Sequence, residues 1–116
     1  MSTDLASSLE TITRVVGVRG AMVVSADEGL VVAESSMEGI EGAAVAALTA
    51  GVCARLARAT EAAGREAPTF VHLQAEEGSL LAVPAEGDLL VIAVTDPTVN
   101  VGLVRLELRR AAGQLA

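Results

Sequence analysis

Apolar residues recur at helical spacing near the start of the chain. Leu5, Leu9, Ile12 and Val16 stand three or four apart, with Thr3 or Asp4 placed to cap the first turn and Gly17 to end the helix. The pattern then tightens. Two short apolar runs, 21–25 and 30–34, flank Asp27-Glu28-Gly29 and predict a β-hairpin. Ser35 and Glu38 have capping-box spacing before a long alanine-rich segment, predicted helical over about 40–64, where Gly64 can terminate it. Runs 69–75, 79–83 and 89–94 read as three strands joined by turns at Glu76-Glu77-Gly78 and Glu86-Gly87-Asp88. Pro84 has no N–H for a ladder and is expected to end its strand. After Asp96-Pro97, Asn100 is placed to cap a last helix over 101–113.

The order α-β-β-α-β-β-β-α, without linker or repeat, predicts one α+β domain over 1–116. Its last strand is apolar at every position and its first two nearly so, and strands apolar on both sides need cover on both sides. The expected architecture has three layers: a five-stranded antiparallel sheet, the long helix on one face, and the first and last helices on the other.

At 100° per residue the long helix separates into two sides. The larger aliphatic residues Val45, Leu48, Val52 and Leu56, with Ala59, fall together and are expected to pack on the sheet. Opposite them stand Ala43, Ala47, Ala50 and Ala54, flanked by Ala44 and Gly51, with Arg58 beyond. A solvated helix face is ordinarily polar, and a mid-helix glycine costs about 0.5–1 kcal/mol relative to alanine. Alanine's helix propensity can explain the small residues by itself. The glycine favours a protein interface on Ala43, Ala47, Ala50, Gly51, Ala54 and Arg58. The third strand adds a second feature. If its Phe70, Val71, His72, Leu73 and Gln74 form a sheet edge, their free backbone groups invite pairing with a second copy, and a homodimer would explain both features.

Composition narrows the chemistry. The chain has a net charge of −7, no lysine and one aromatic residue, Phe70, which argues against phosphate-backbone binding and base stacking. One cysteine, Cys53, and one histidine, His72, form neither a disulfide framework nor a thiol–imidazole metal cluster. The first residues lack the basic and apolar regions of a signal peptide, and no apolar run approaches the length needed to span a bilayer, so a cytoplasmic location is expected.

Motifs for catalysis are weak. Gly17-Val-Arg-Gly20 lacks the Gly-Lys-Ser/Thr of a phosphate loop and leads into a strand. His72 has no sequence neighbour to complete a triad. Cys53 has only Arg55 nearby to favour a thiolate and reads as a small hydrophobe. The pairs Asp27/Glu28 and Glu76/Glu77 read as solvated turn charges. A helix arginine (Arg55, Arg58 or Arg65) can stabilise phosphoryl-transfer charge in trans, but surface arginines more often pair with acids. No enzyme, cofactor or metal is expected.

The segments GVRGAMVVSADEGLVVAES (17–35), EGAAVAALTAGVCARLARA (41–59) and NVGLVRLELRRAAGQL (100–115), in this order and spacing, resemble the roadblock/dynein light-chain-7 superfamily, and in particular its bacterial stand-alone, MglB-like members. The resemblance covers nearly the whole chain. It implies dimers built through the long helix and the third strand, and a non-catalytic regulator or scaffold of a small Ras-like GTPase, in a GTPase-activating or accessory role. It also implies that the GTPase sits over small residues matching Ala47, Ala50, Gly51 and Ala54. Two alternatives stand beside it: a profilin- or PAS-like small-ligand sensor, and one subunit of a heterodimeric roadblock scaffold.

Overall fold

The computed structural model describes residues 2–115, with side chains from Leu5 onward, so the expected cap by Thr3 or Asp4 lies outside the described side chains. The elements follow the expected order: α1 (Ser2–Thr13), β1 (Val18–Ser25), β2 (Val31–Ser35), α2 (Gly42–Ala62), β3 (Val71–Ala75), β4 (Gly78–Ala85), β5 (Leu89–Thr95) and α3 (Val101–Gln114). The strands form one antiparallel sheet in the order β2-β1-β5-β4-β3, so both β2 and β3 are edges.

Period-two alternation in the central strands divides the core between the two faces. Ala21, Val23, Leu81, Val83, Val91 and Ala93 pack with Leu9 and Ile12 of α1 and Val104 and Leu108 of α3. Met22, Val24, Ala82, Leu90 and Ile92 point the other way and meet Ala46 and Ala50 of α2. The three-layer arrangement is therefore present. Across the first layer, the Ser8 hydroxyl donates to the Gln114 side chain and ties α1 to α3.

Helix ends follow local chemistry. Asn100 caps α3: its Oδ1 accepts from the Leu103 N–H at 3.0 Å. At the end of α2, Gly64 takes φ +75°, the Gly64 N–H bonds to Glu61 O (2.9 Å) and the Arg65 N–H to Thr60 O (2.8 Å). This pair of bonds is a Schellman stop, which the positive φ makes glycine's position.

Four local expectations are corrected. α1 ends at Thr13, and Val16 is 90% exposed while Val15 packs on the core, because a turn at 14–17 breaks the helical phase. The Ser35/Glu38 capping box does not form. Ser35 stays in β2, α2 begins at Gly42, and Glu41 at its start makes no side-chain cap. Pro84 does not end β4 but lies within it, opposite Leu90. It is tolerated there because the β3–β4 ladder starts only at Val71↔Ala82, so no β3 residue faces Pro84. Finally, α2 is long and apolar enough to cross a membrane by length and composition alone, contrary to the sequence expectation. Only 17% of its apolar window is buried, along the side that lies on the sheet.

Candidate protein-interaction surface

Only Ala46, Thr49 and Ala50 of α2 are buried; Val45, Cys53 and Leu56 pack half-buried beside them. The helix is thus rotated from the phase expected. Ala50 is 5% exposed and faces the sheet, whereas Leu48 is 70% exposed and Ala59 is also outside. The cause is size complementarity. The sheet supplies the bulk on this side, through Met22, Leu90 and Ile92, and small helix residues let the backbone come close. Because α2 is apolar nearly all round, hydrophobic periodicity sets its phase weakly. The charges carry a better signal. Arg55 and Arg58 mark the solvated side, and opposite them at 100° per residue lie Ala46, Thr49 and Cys53.

The outward surface keeps Ala43, Ala47, Gly51, Ala54 and Arg58, all exposed or partly so, and loses Ala50. It gains Leu48, on the same face as Ala44, Gly51 and Arg55. Among the described residues, a Cβ added to Gly51 would meet nothing within 4 Å, so no contact among them requires glycine there. Ala47 is the exception to openness, since the hairpin glycine Gly29 lies against it.

The edge-strand residues divide similarly. Phe70 precedes β3 and is half-buried against the α1/α3 core, with the Arg105 guanidinium 4.8 Å above its ring. His72 lies 6.4 Å from Phe70, ring to ring, and its Nε2 shares a 2.9 Å hydrogen bond with Ser79 Oγ. Val71 is buried in the α2-side core. Leu73, two positions on, shares that side of the sheet and is 39% exposed; Gln74 is exposed. Of the five residues expected at this edge, Leu73 and Gln74 are the open ones. The edges also differ from each other. β3 pairs in unbroken register with β4, whereas the β1–β2 register shifts between Val23 and Val24, leaving Val32 as an exposed extra residue. A bulge of this kind discourages pairing along an edge.

Beneath the C-terminal half of α2 lies an open cleft of about 260 Å³. Ala50, Cys53 and Ala57 form its helix side, Val71, Ala82 and Leu90 its sheet side. Burial pushes the Cys53 thiol up from its ordinary pKa, so it stays protonated near neutrality. Among the described residues, no three His, Cys, Asp or Glu side chains are grouped to hold a metal ion.

This topology, with an exposed helix over an open-edged sheet, is matched by known proteins. The profile of the Roadblock/LC7 domain covers residues 6–95, from α1 through β5. The chain belongs to the Roadblock/LC7 family. A relative in Methanocaldococcus jannaschii, the uncharacterised protein MJ0714, is 31% identical over 104 residues, covering 90% of this chain and 86% of MJ0714. Among solved structures, the gliding protein MglB from Thermus thermophilus superposes with TM-score 0.87 at 25% identity, covering 98% of this chain and 87% of MglB. An MglB with a tetrameric arrangement gives TM-score 0.89, also at 25% identity, over 98% of this chain and 86% of that one. The resemblance read from the sequence is thus correct at family level, and the archaeal relative extends it beyond bacteria. The matched span ends with β5, and the superposed MglB structures cover 98% of the chain, α3 included.

Proposed function

We propose that this Roadblock/LC7 protein is a non-catalytic, self-associating regulator or scaffold of a small Ras-like GTPase. The observation that carries the reading is Leu48, 70% exposed on a helix whose neighbouring outward positions are alanine and glycine, above a sheet with the free, unbulged edge β3. Burying a leucine side chain contributes roughly 1.5–3 kcal/mol. Leaving it exposed beside a mid-helix glycine that no contact among the described residues needs makes better sense if a second chain covers it. β3 is the edge through which the sheet can continue into another copy, with Leu73 and Gln74 open along it.

The likeness to MglB, including its tetrameric arrangement, supports self-association and a GTPase-linked role. The expectation for α2 is now revised. Leu48, Ala44, Gly51 and Arg55 form the central outward stripe, with Ala43, Ala47, Ala54 and Arg58 beside it, and Ala50 no longer belongs to the contact surface. Pull-down and GTP-hydrolysis measurements with the Ras-like GTPase encoded nearest to this gene test the reading. Binding, with or without a rate change, supports it. Neither binding nor a rate change would sink it.

A further inference from the structure

The layer opposite α2 carries an exposed surface that the proposed self-association does not use. α1 packs over β1 and β2, and α3 over β4 and β5, so the groove between the two helices lies above the centre of the sheet. The helices run antiparallel. Ser8 bonds to Gln114, Thr11 shares a hollow of about 180 Å³ with Glu107 and Arg110, and Gly17, just after α1, lies against Val99, just before α3.

α3 turns Val104, Leu108, Ala111 and Ala112 inward, but its outer side is not that of an ordinary solvated helix. Leu103 is 40% and Leu106 45% exposed, on successive turns. At 100° per residue, Gly102 and Gly113 fall within about 40° of Leu106. Among the described residues, a Cβ at Gly113 would meet nothing within 4 Å, and one at Gly102 only the Asn100 Oδ1, at 3.5 Å. Both glycines thus lower the helix surface beside a leucine without any packing need among those residues. Low relief of this kind lets a second helix approach at the short end of the usual interaxial range of about 8–10 Å.

The charges say what kind of helix. Arg105, Arg109 and Arg110 stand against the single Glu107 on α3, in a chain whose net charge is −7. Arg105 lies over the Phe70 ring, and Arg110 reaches Glu107 at 3.4 Å; among the described residues Arg109 is in no ion pair. Arg109 and Arg110 are exposed on either side of Leu106. The sheet's turns, by contrast, are acidic, at Asp27-Glu28, Glu76-Glu77 and Glu86 with Asp88. An acidic ligand is repelled from those turns and drawn to α3. An anionic bilayer is a broad plane and meets the net negative charge of the chain, whereas a single helix meets the groove alone.

We propose that the α1/α3 groove docks an amphipathic helix of a partner protein, with leucines on one face and glutamate or aspartate flanking them. Its apolar face covers Leu103 and Leu106, its backbone comes close over the glycines, and its carboxylates reach Arg109 and Arg110. The partly buried Glu107 orients Arg110 at the groove edge.

An amide-detected NMR titration of the isotope-labelled full chain tests this, with the capped peptide Glu-Leu-Gln-Ala-Leu-Leu-Glu-Ala-Leu-Glu-Glu-Leu-Gln-Ala as probe. Shifts are expected at residues 7–11 and 102–114. Kd should rise about fivefold or more in Leu106→Gln, in Arg109→Gln/Arg110→Gln, and when Lys replaces every Glu of the peptide. The altered side chains are exposed, so each variant should keep the parent's circular dichroism. If a variant fails to fold, the peptide exchange on the parent chain still decides. Shifts confined to α2, no shifts, or equal affinity of the lysine peptide for these residues overturns the proposal. Co-sedimentation with phosphatidylserine vesicles that is lost in the same variants would also overturn it, by making the occupant a membrane surface. A smaller sedimenting species in Leu106→Gln would do so by making it a second copy. The titration repeated in Leu48→Arg separates this proposal from the proposed self-association, because that substitution leaves α1 and α3 untouched and peptide binding should persist whatever its oligomeric state.

Discussion

Gly29 lies directly against the backbone of Ala47, so that a Cβ at position 29 would sit 3.0 Å from the Ala47 Cα. The hairpin turn is thereby wedged under the first half of α2. Its φ of +67° is itself a conformation that side chains resist. Gly29→Ala combines both penalties, and about 1–3 kcal/mol of destabilisation is expected. Equilibrium urea unfolding measures it; a loss below about 0.5 kcal/mol, the range of an ordinary surface substitution, would show that the turn and helix can move apart freely.

Leu48 and Ala50 are two residues apart on α2 and should respond oppositely to the same substitution. Leu48→Arg places a charge in solvent. It should keep the parent's circular dichroism and thermal midpoint while reducing self-association, read by analytical ultracentrifugation at micromolar concentration. Ala50→Arg must thread its side chain past Leu90 through the cleft that Ala50 lines and should destabilise the domain by about 1–3 kcal/mol. An Ala50→Arg variant with the parent's thermal midpoint would mean that the helix phase described above is wrong.

Asn100 supplies the side-chain cap on α3, through the Leu103 N–H. Asn100→Ala should cost about 1 kcal/mol, and Asn100→Asp should nearly preserve stability because a carboxylate also accepts the bond at a helix N-terminus. Thermal unfolding of the three proteins side by side provides the check.

Cys53 gives a pH prediction with a defined sign. Burial raises its folded-state pKa above the ordinary thiol value, so the unfolded chain loses the proton first. The contribution is fully present below the unfolded thiol pKa and is lost as pH rises through the folded one. Stability should therefore fall on the alkaline side in the parent and less so in Cys53→Ala. Alkylation by iodoacetamide under mildly alkaline conditions should be slower than for the unfolded chain and accelerate with further alkalinity. Alkylation at the unfolded rate would show the thiol to be open to solvent.

Element order, the three layers, the Asn100 cap and the Gly64 stop are legible because each rests on local chemistry: a period of apolar positions, a side-chain acceptor, a glycine free to take positive φ. The Ser35/Glu38 pair misleads, because the same residues fit both a helix start and the end of an edge strand, and β-ladder pairing with β1 prevails.

What the sequence by itself determined is that one helix of this small domain is apolar on more sides than a single sheet can cover. Which side meets the sheet was a tertiary decision. Met22, Leu90 and Ile92, brought together from separate strands, fill the space beneath the helix and leave room only for Ala46, Thr49 and Ala50. Leu48 is thereby turned outward beside Gly51, and the turns bearing Asp27 and Asp88 close around a cleft that no stretch of sequence announces. Close packing is decided by the volumes of residues far apart in the chain, and a pattern read along one helix does not contain them.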